Sequence, residues 1–133
     1  MKKTTTVVDT YTNGKLACDE NGKLVAAEFD IGLDHGAYAG MASKIFNNLI
    51  SVPFNGYSIP NVKALARGGV SNHAFNAAYR GFGAPQVYTF SEALMDMLAE
   101  KAGIDPWQFR YQNLAGESDT TINNRPYKAH LYK

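Results

Sequence analysis

Between residues 24 and 33 apolar side chains fall on alternate positions, with Val25, Ala27, Phe29, Ile31 and Leu33 on one side and Leu24, Ala26, Glu28 and Asp30 on the other. A period of two predicts a strand with one buried face. Asn21-Gly22 separates this run from Lys15–Asp19 and signals a hairpin, because both residue types tolerate positive φ. The β-branched run Thr4–Thr12 predicts a further strand, with Asn13-Gly14 as a second turn before Lys15. From Met41 the period lengthens, and Met41, Ile45, Leu49 and Val52 share one helical face until Pro53 stops it. Val62–Arg67 alternates weakly into Gly68-Gly69, a second strand region, and residues 68–79 are irregular and rich in small side chains. A long amphipathic helix is predicted over 87–102, its stripe running through Val87, Phe90, Leu94, Met97 or Leu98, and Lys101, with Gly103 as its C′ residue. Asp105 then caps a further helix, with Pro106 at its first position. Residues 116–124 are polar and turn-rich, and the tail beyond them carries Tyr127, Leu131 and Tyr132, which need a partner's cover. The elements combine into one α+β domain over 1–133, a small mixed or antiparallel sheet packed with two or three helices. Its ends, 1–14 and 117–133, are expected to be loosely ordered.

Composition suits a globular domain, at 45% hydrophobic and 19% charged residues, and a chain of this size buries a single core. Thirteen basic residues against 12 acidic ones leave a net charge of +1, and the only basic cluster is Lys2-Lys3, so no nucleic-acid footprint exists. A lone Cys18 rules out an internal disulfide, and His35, His73 and His130 are too scattered for zinc-type spacing. Any metal must therefore arrive on an organic cofactor or from another chain. No apolar run is long enough to span a bilayer, and Met1-Lys2-Lys3 followed by threonines lacks a signal peptide's apolar stretch, so a cytoplasmic location is expected.

Candidate chemistry concentrates in Tyr79-Arg80-Gly81-Phe82-Gly83-Ala84-Pro85-Gln86. Glycines let a backbone approach a ligand closely, and a Gly-rich turn at a helix mouth aims N–H groups at anionic or oxo ligands. Two glycines one residue apart also occur in ordinary turns. A nucleotide-phosphate site is disfavoured, since neither Gly-x-Gly-x-x-Gly nor a Gly-Lys-Ser/Thr ending is present.

The flanks sharpen this. Tyr57-Ser58-Ile59-Pro60-Asn61, the loop at 79–86, and Asp105-Pro106-Trp107-Gln108-Phe109-Arg110-Tyr111-Gln112-Asn113 occur in that order. Together they resemble the molybdenum-binding, molybdopterin-carrying subunit of the xanthine dehydrogenase and aldehyde oxidoreductase family. Leu33-Asp34-His35-Gly36-Ala37-Tyr38 is also similar to that family's Asp-Gly-Gly-Ala-Tyr stretch, with His35 in place of a glycine. The resemblance covers about residues 15 to 115 and marks the chain as a fragment of a much longer subunit.

It implies a molybdenum hydroxylase that oxidises an aldehyde or a heterocycle at a molybdenum-molybdopterin centre. Iron–sulfur clusters, and in many members FAD, lie on other domains or chains. Cofactor contacts carry over to Arg80 through its main-chain N–H, and to Gly81 and Gly83, which let that backbone sit close. Phe82 matches an aromatic lining the substrate pocket. Asn48, nine residues before Tyr57, stands where purine-oxidising members carry an arginine, which favours an aldehyde or another heterocycle. None of Glu20, Glu28, Glu92, Glu100 or Glu117 matches the family's catalytic glutamate, so no catalytic residue is assigned. The implied partners are the remainder of the subunit, its electron-transfer domains and a small-molecule substrate, with no nucleic acid or membrane.

Plainer readings stand beside these. Arg80 could hold carbonyls at a helix entrance, Phe82 and Phe75 could be core aromatics, and Asn48 a solvated helix residue. His35 and His73 read as structural, Glu92 and Asp96 as a solvated pair, and Met95 and Met97 as packing with Leu94 and Leu98. The competing function is a non-catalytic structural or interaction module that keeps the fold without the cofactor.

Overall fold

The computed structural model describes residues 6–127. Among these residues, five strands and three helices follow one another as β1 (Thr6–Val7), β2 (Asp9–Cys18), β3 (Leu24–Asp34), α1 (Ala42–Ser51), β4 (Asn61–Gly69), β5 (Asn76–Ala77), α2 (Ala84–Ala102) and α3 (Pro106–Gln112). A three-stranded sheet has the order β2-β3-β4, antiparallel between β2 and β3 and parallel between β3 and β4, while β1 and β5 form a short parallel pair. The sheet is therefore mixed, because α1 supplies the crossover that parallel neighbours require.

The Asn21-Gly22 hairpin forms as expected. Gly22 takes φ 78°, and the Asp19 carboxylate accepts from the N–H groups of Asn21 (2.9 Å) and Lys23 (2.8 Å). The second expected turn does not. Asn13-Gly14 lies inside continuous β2, and Gly14 is there because the Phe90 ring of α2 lies over it, 2.5 Å from where a Cβ would stand. The expected Thr4–Thr12 strand is broken at buried Val8, which separates β1 from β2.

Alternation in β3 holds for Ala27, Phe29, Ile31 and Leu33, all buried, but fails at its start. Ala17 pairs with Ala26 and Cys18 with Leu24, so Val25 is an extra residue that reverses the parity. Leu24 consequently turns inward at 4% exposure and Val25 outward at 36%. Asn61 Nδ2 donates to Val25 O at 3.0 Å and pins the bulge.

The inner sheet face meets Ile45 and Leu49 of α1, Val87, Met95 and Ala99 of α2, and Phe109 of α3. Helix α1 follows its expected face, although Met41 is exposed. Helix α2 differs from expectation. It begins at Ala84, and its buried line is Val87, Ser91, Met95 and Ala99, with Phe90, Leu94 and Leu98 only flanking it. Small Ser91 and Ala99 allow close approach to the sheet, so Met97 is 65% exposed rather than packed and Lys101 is also exposed. Gly103 ends α2 in the left-handed conformation, and Asp105 caps α3 by accepting from the N–H groups of Trp107 and Gln108 at 3.0 Å each. Tyr127 is tied in by its hydroxyl, which accepts from Gly56 N at 3.0 Å, whereas Leu131 and Tyr132 lie outside the described residues.

Candidate functional site

The 79–86 loop consists of two consecutive turns that feed directly into α2. Phe82 N donates to Tyr79 O and Ala84 N to Gly81 O, both at 2.9 Å. Gly81 and Gly83 take φ 94° and 90°, and Phe82 between them takes φ 49°, a conformation that costs a non-glycine residue about 1–2 kcal/mol. The glycines are also sterically required. A Cβ on Gly81 would lie 2.8 Å from Pro85 Cδ, and one on Gly83 would lie 3.0 Å from Leu49 Cδ2 and 3.2 Å from Ile45 Cγ2. Gly83 therefore seats the start of α2 against α1.

Among the described residues, the N–H groups of Arg80, Gly81 and Gly83 have no backbone acceptor. Helix α2 has no side-chain N-cap and no acidic residue in its first turn, so the positive end of a 19-residue helix is left uncompensated beside them. Arg80 is exposed, and among the described residues its guanidinium has no hydrogen-bond or ion-pair partner at the helix entrance. Phe82 is 37% exposed, which excludes it from the core. Phe75 is likewise outside the core, packing edge-on against Tyr38 with ring centroids 6.1 Å apart.

Asn48, remote in sequence, is brought to the loop. Its Nδ2 donates to Phe82 O at 3.3 Å, which leaves Oδ1 as an acceptor. Lys44, Asn47, Asn48 and Phe82 line an open recess of about 360 Å³. Lys44 and Asn47 were not singled out in the sequence. Lys44 had a positional signal, since it lies four residues before Asn48 on the same helix face, whereas Asn47 had none.

The motifs flanking the loop prove to be its scaffold. Tyr57 Oη donates to Glu92 Oε1 (3.1 Å), Arg110 Nε to Glu92 Oε2 (2.8 Å), and Arg110 also pairs with Asp96 at 2.7 Å. Glu92 and Asp96 are thus the anchors of Arg110 and not a freely solvated pair. Burial first, and then the Glu92 carboxylate, push the Tyr57 hydroxyl up to about 12. The Asn113 amide is buried and fully used. It accepts from Leu24 N and donates to Gly22 O and Phe109 O, each at 2.9 Å, joining the hairpin to α3.

His35 is buried against Phe46, with ring centroids 5.5 Å apart, and His73 is held by Asp34 at 2.8 Å. No group of three or more His, Cys, Asp or Glu side chains among the described residues could hold a metal ion. The donors on offer are main-chain N–H groups, which suit a metal that is carried by an organic, oxo- or phosphate-bearing cofactor. No helix among the described residues is long and apolar enough to cross a membrane.

The fold is that of a small α+β domain, a mixed three-stranded sheet packed with three helices among the described residues. Residues 1–114 match the family model of the molybdopterin cofactor-binding domain, and the chain belongs to that family. Aldehyde oxidoreductase of Megalodesulfovibrio gigas is 43% identical over 108 residues, 81% of this chain and 12% of that protein. Xanthine dehydrogenase/oxidase of Gallus gallus is 32% identical over 111 residues, 84% of this chain and 8% of that protein. The solved aldehyde oxidoreductase from Desulfovibrio gigas superimposes with a TM-score of 0.84 at 38% identity, covering 92% of this chain and 14% of that one. The chain therefore spans a small part of the length of its relatives.

Proposed function

We propose that this chain is the loop-bearing segment of a molybdenum hydroxylase that oxidises an aldehyde or a heterocycle by water-derived hydroxylation. When bound, the molybdenum-molybdopterin group supplies the redox and oxygen-transfer chemistry. The observation that carries the reading is the set of unengaged N–H groups of Arg80, Gly81 and Gly83 at the uncapped mouth of α2. These residues would hold the cofactor through the main chain. The adjoining Phe82 presents a ring face that orients a flat substrate and excludes water. Asn48 fixes the loop by donating to Phe82 O and keeps Oδ1 free to accept from the substrate. A neutral amide there favours substrates that develop less negative charge than a purine.

Among the described residues no carboxylate lines the recess, and on this reading the catalytic base would come from the remainder of the subunit. Iron–sulfur and, in many such assemblies, flavin domains would take the electrons. In the assembled protein, Phe82→Ala is expected to lower turnover while molybdenum stays bound. Unchanged turnover would remove Phe82 from the pocket.

A second reading, an interaction module without cofactor, draws on the exposed and stacked rings of Trp107 and Tyr111, whose centroids are 5.2 Å apart.

A further inference from the structure

We propose that Asp34 is the positioning residue of the 79–83 loop, its carboxylate tying the end of β3 to the segment that leads into that loop. The inference rests on reading 79–83 as the cofactor-contacting loop. Asp34 closes β3, and its Oδ1 accepts from Gly36 N at 2.8 Å. Ser71 Oγ donates to both carboxylate oxygens at 2.8 Å, and His73 Nδ1 lies 2.8 Å from Oδ2. An ionised carboxylate only accepts, so His73 carries a proton on Nδ1 facing Asp34. These donors, the Gly36 N–H foremost, hold the Asp34 carboxyl below the usual carboxylate range, so all three bonds persist at neutral pH.

The main chain completes the latch. His35 N donates to Gly69 O (3.0 Å), Ser71 N to Gly36 O (2.9 Å) and Asn76 N to His35 O (3.1 Å), while Asn76 Nδ2 donates to Asp34 O at 3.0 Å. The two segments approach so closely that a Cβ on Gly36 would lie 2.1 Å from Ala74 O. Buried Asn76 opens β5, and only Ala78 separates β5 from Tyr79. On the far side of the loop, Gly83 is wedged against Leu49 and Ile45. The loop runs between these two anchors, so loosening the first releases its turns.

The test is amide hydrogen exchange, followed by NMR in the 133-residue chain, at Asn76, Phe82 and Ala84, whose N–H groups are bonded only when latch and loop are in place. Gly22 N, bonded to Asp19 O in the distant hairpin, serves as the control. His73 is 74% exposed at its side chain, so its substitution leaves the core intact. His73→Leu and Asp34→Asn are expected to speed exchange at the three amides roughly tenfold or more, the scale of a lost charge-assisted hydrogen bond, with Gly22 unchanged. His73→Asn keeps an N–H at similar reach and is expected to restore protection. Wild-type exchange in both disruptive variants, equal acceleration at Gly22, or failure of His73→Asn to protect better than His73→Leu would overturn the proposal. No cofactor is needed for the readout, so a negative result leaves the cofactor reading to its own test.

Discussion

Arg110 is the residue on which the scaffold beneath the loop converges, because it neutralises both Glu92 and Asp96 on α2 and leaves Glu92 able to accept from Tyr57. Hydrogen-bonded pairs of this kind contribute less where water screens them, and this one is partly exposed. Arg110→Leu is expected to cost about 1 kcal/mol in urea denaturation, since it removes the shared partner of two partly exposed carboxylates. Tyr57 gives the same network a pH signature. Its folded-state value is raised above that of the unfolded chain, so its stabilising bond is present below pH 10 and is lost as pH climbs toward 12. The melting-temperature advantage of wild type over Tyr57→Phe should shrink across that window, and a constant gap would contradict the assignment. The residues that identified the family in the sequence thus hold the frame. Tyr57, Arg110 and Asn113 were legible as a motif, but their bonding was not, because Glu92, Gly22 and Leu24 are distant in sequence.

Elements were legible wherever local pattern and tertiary packing agree. The buried alternation of Ala27 to Leu33, the Asn21-Gly22 hairpin and the Asp105-Pro106 helix start all follow from neighbouring residues alone. The Val25 bulge leaves no mark in the sequence, since one extra residue reverses parity without changing composition. Asn13-Gly14 has turn chemistry, yet the ring of Phe90 makes the glycine a packing necessity within a strand. Gly14→Ala would set a Cβ 2.5 Å from Phe90 Cζ and 2.8 Å from Glu28 O, and is expected to destabilise by about 1–3 kcal/mol. Thermal denaturation measures this, and Phe90→Leu in the same chain should recover part of the loss. A neutral Gly14→Ala would mean that strand and helix are not packed this closely. The stripe of α2 was misread for a similar reason, because Ser91 and Ala99 carry little apolar weight and are chosen for closeness.

At the scale of the whole molecule, three helices cover one face of a mixed sheet, and the 79–86 loop emerges where α1 and α2 meet. Loop composition and helix entrance were visible in the sequence. Asn48 and Phe82 were each marked as substrate-site residues by the family resemblance, but their contact, like the presence of Lys44 and Asn47, emerged only once α1 was placed beside the loop. On the proposed reading, main-chain donors at Arg80 and the adjoining glycines hold the cofactor. The most direct measurement is the molybdenum and pterin content of the assembly recovered from its native cell with Arg80→Ala or Arg80→Pro, helicity being checked in each. Alanine keeps the N–H and proline removes it. Near-native content is expected with alanine and a marked loss with proline. Equal content in both variants, or a loss with alanine as large as that with proline, would contradict it.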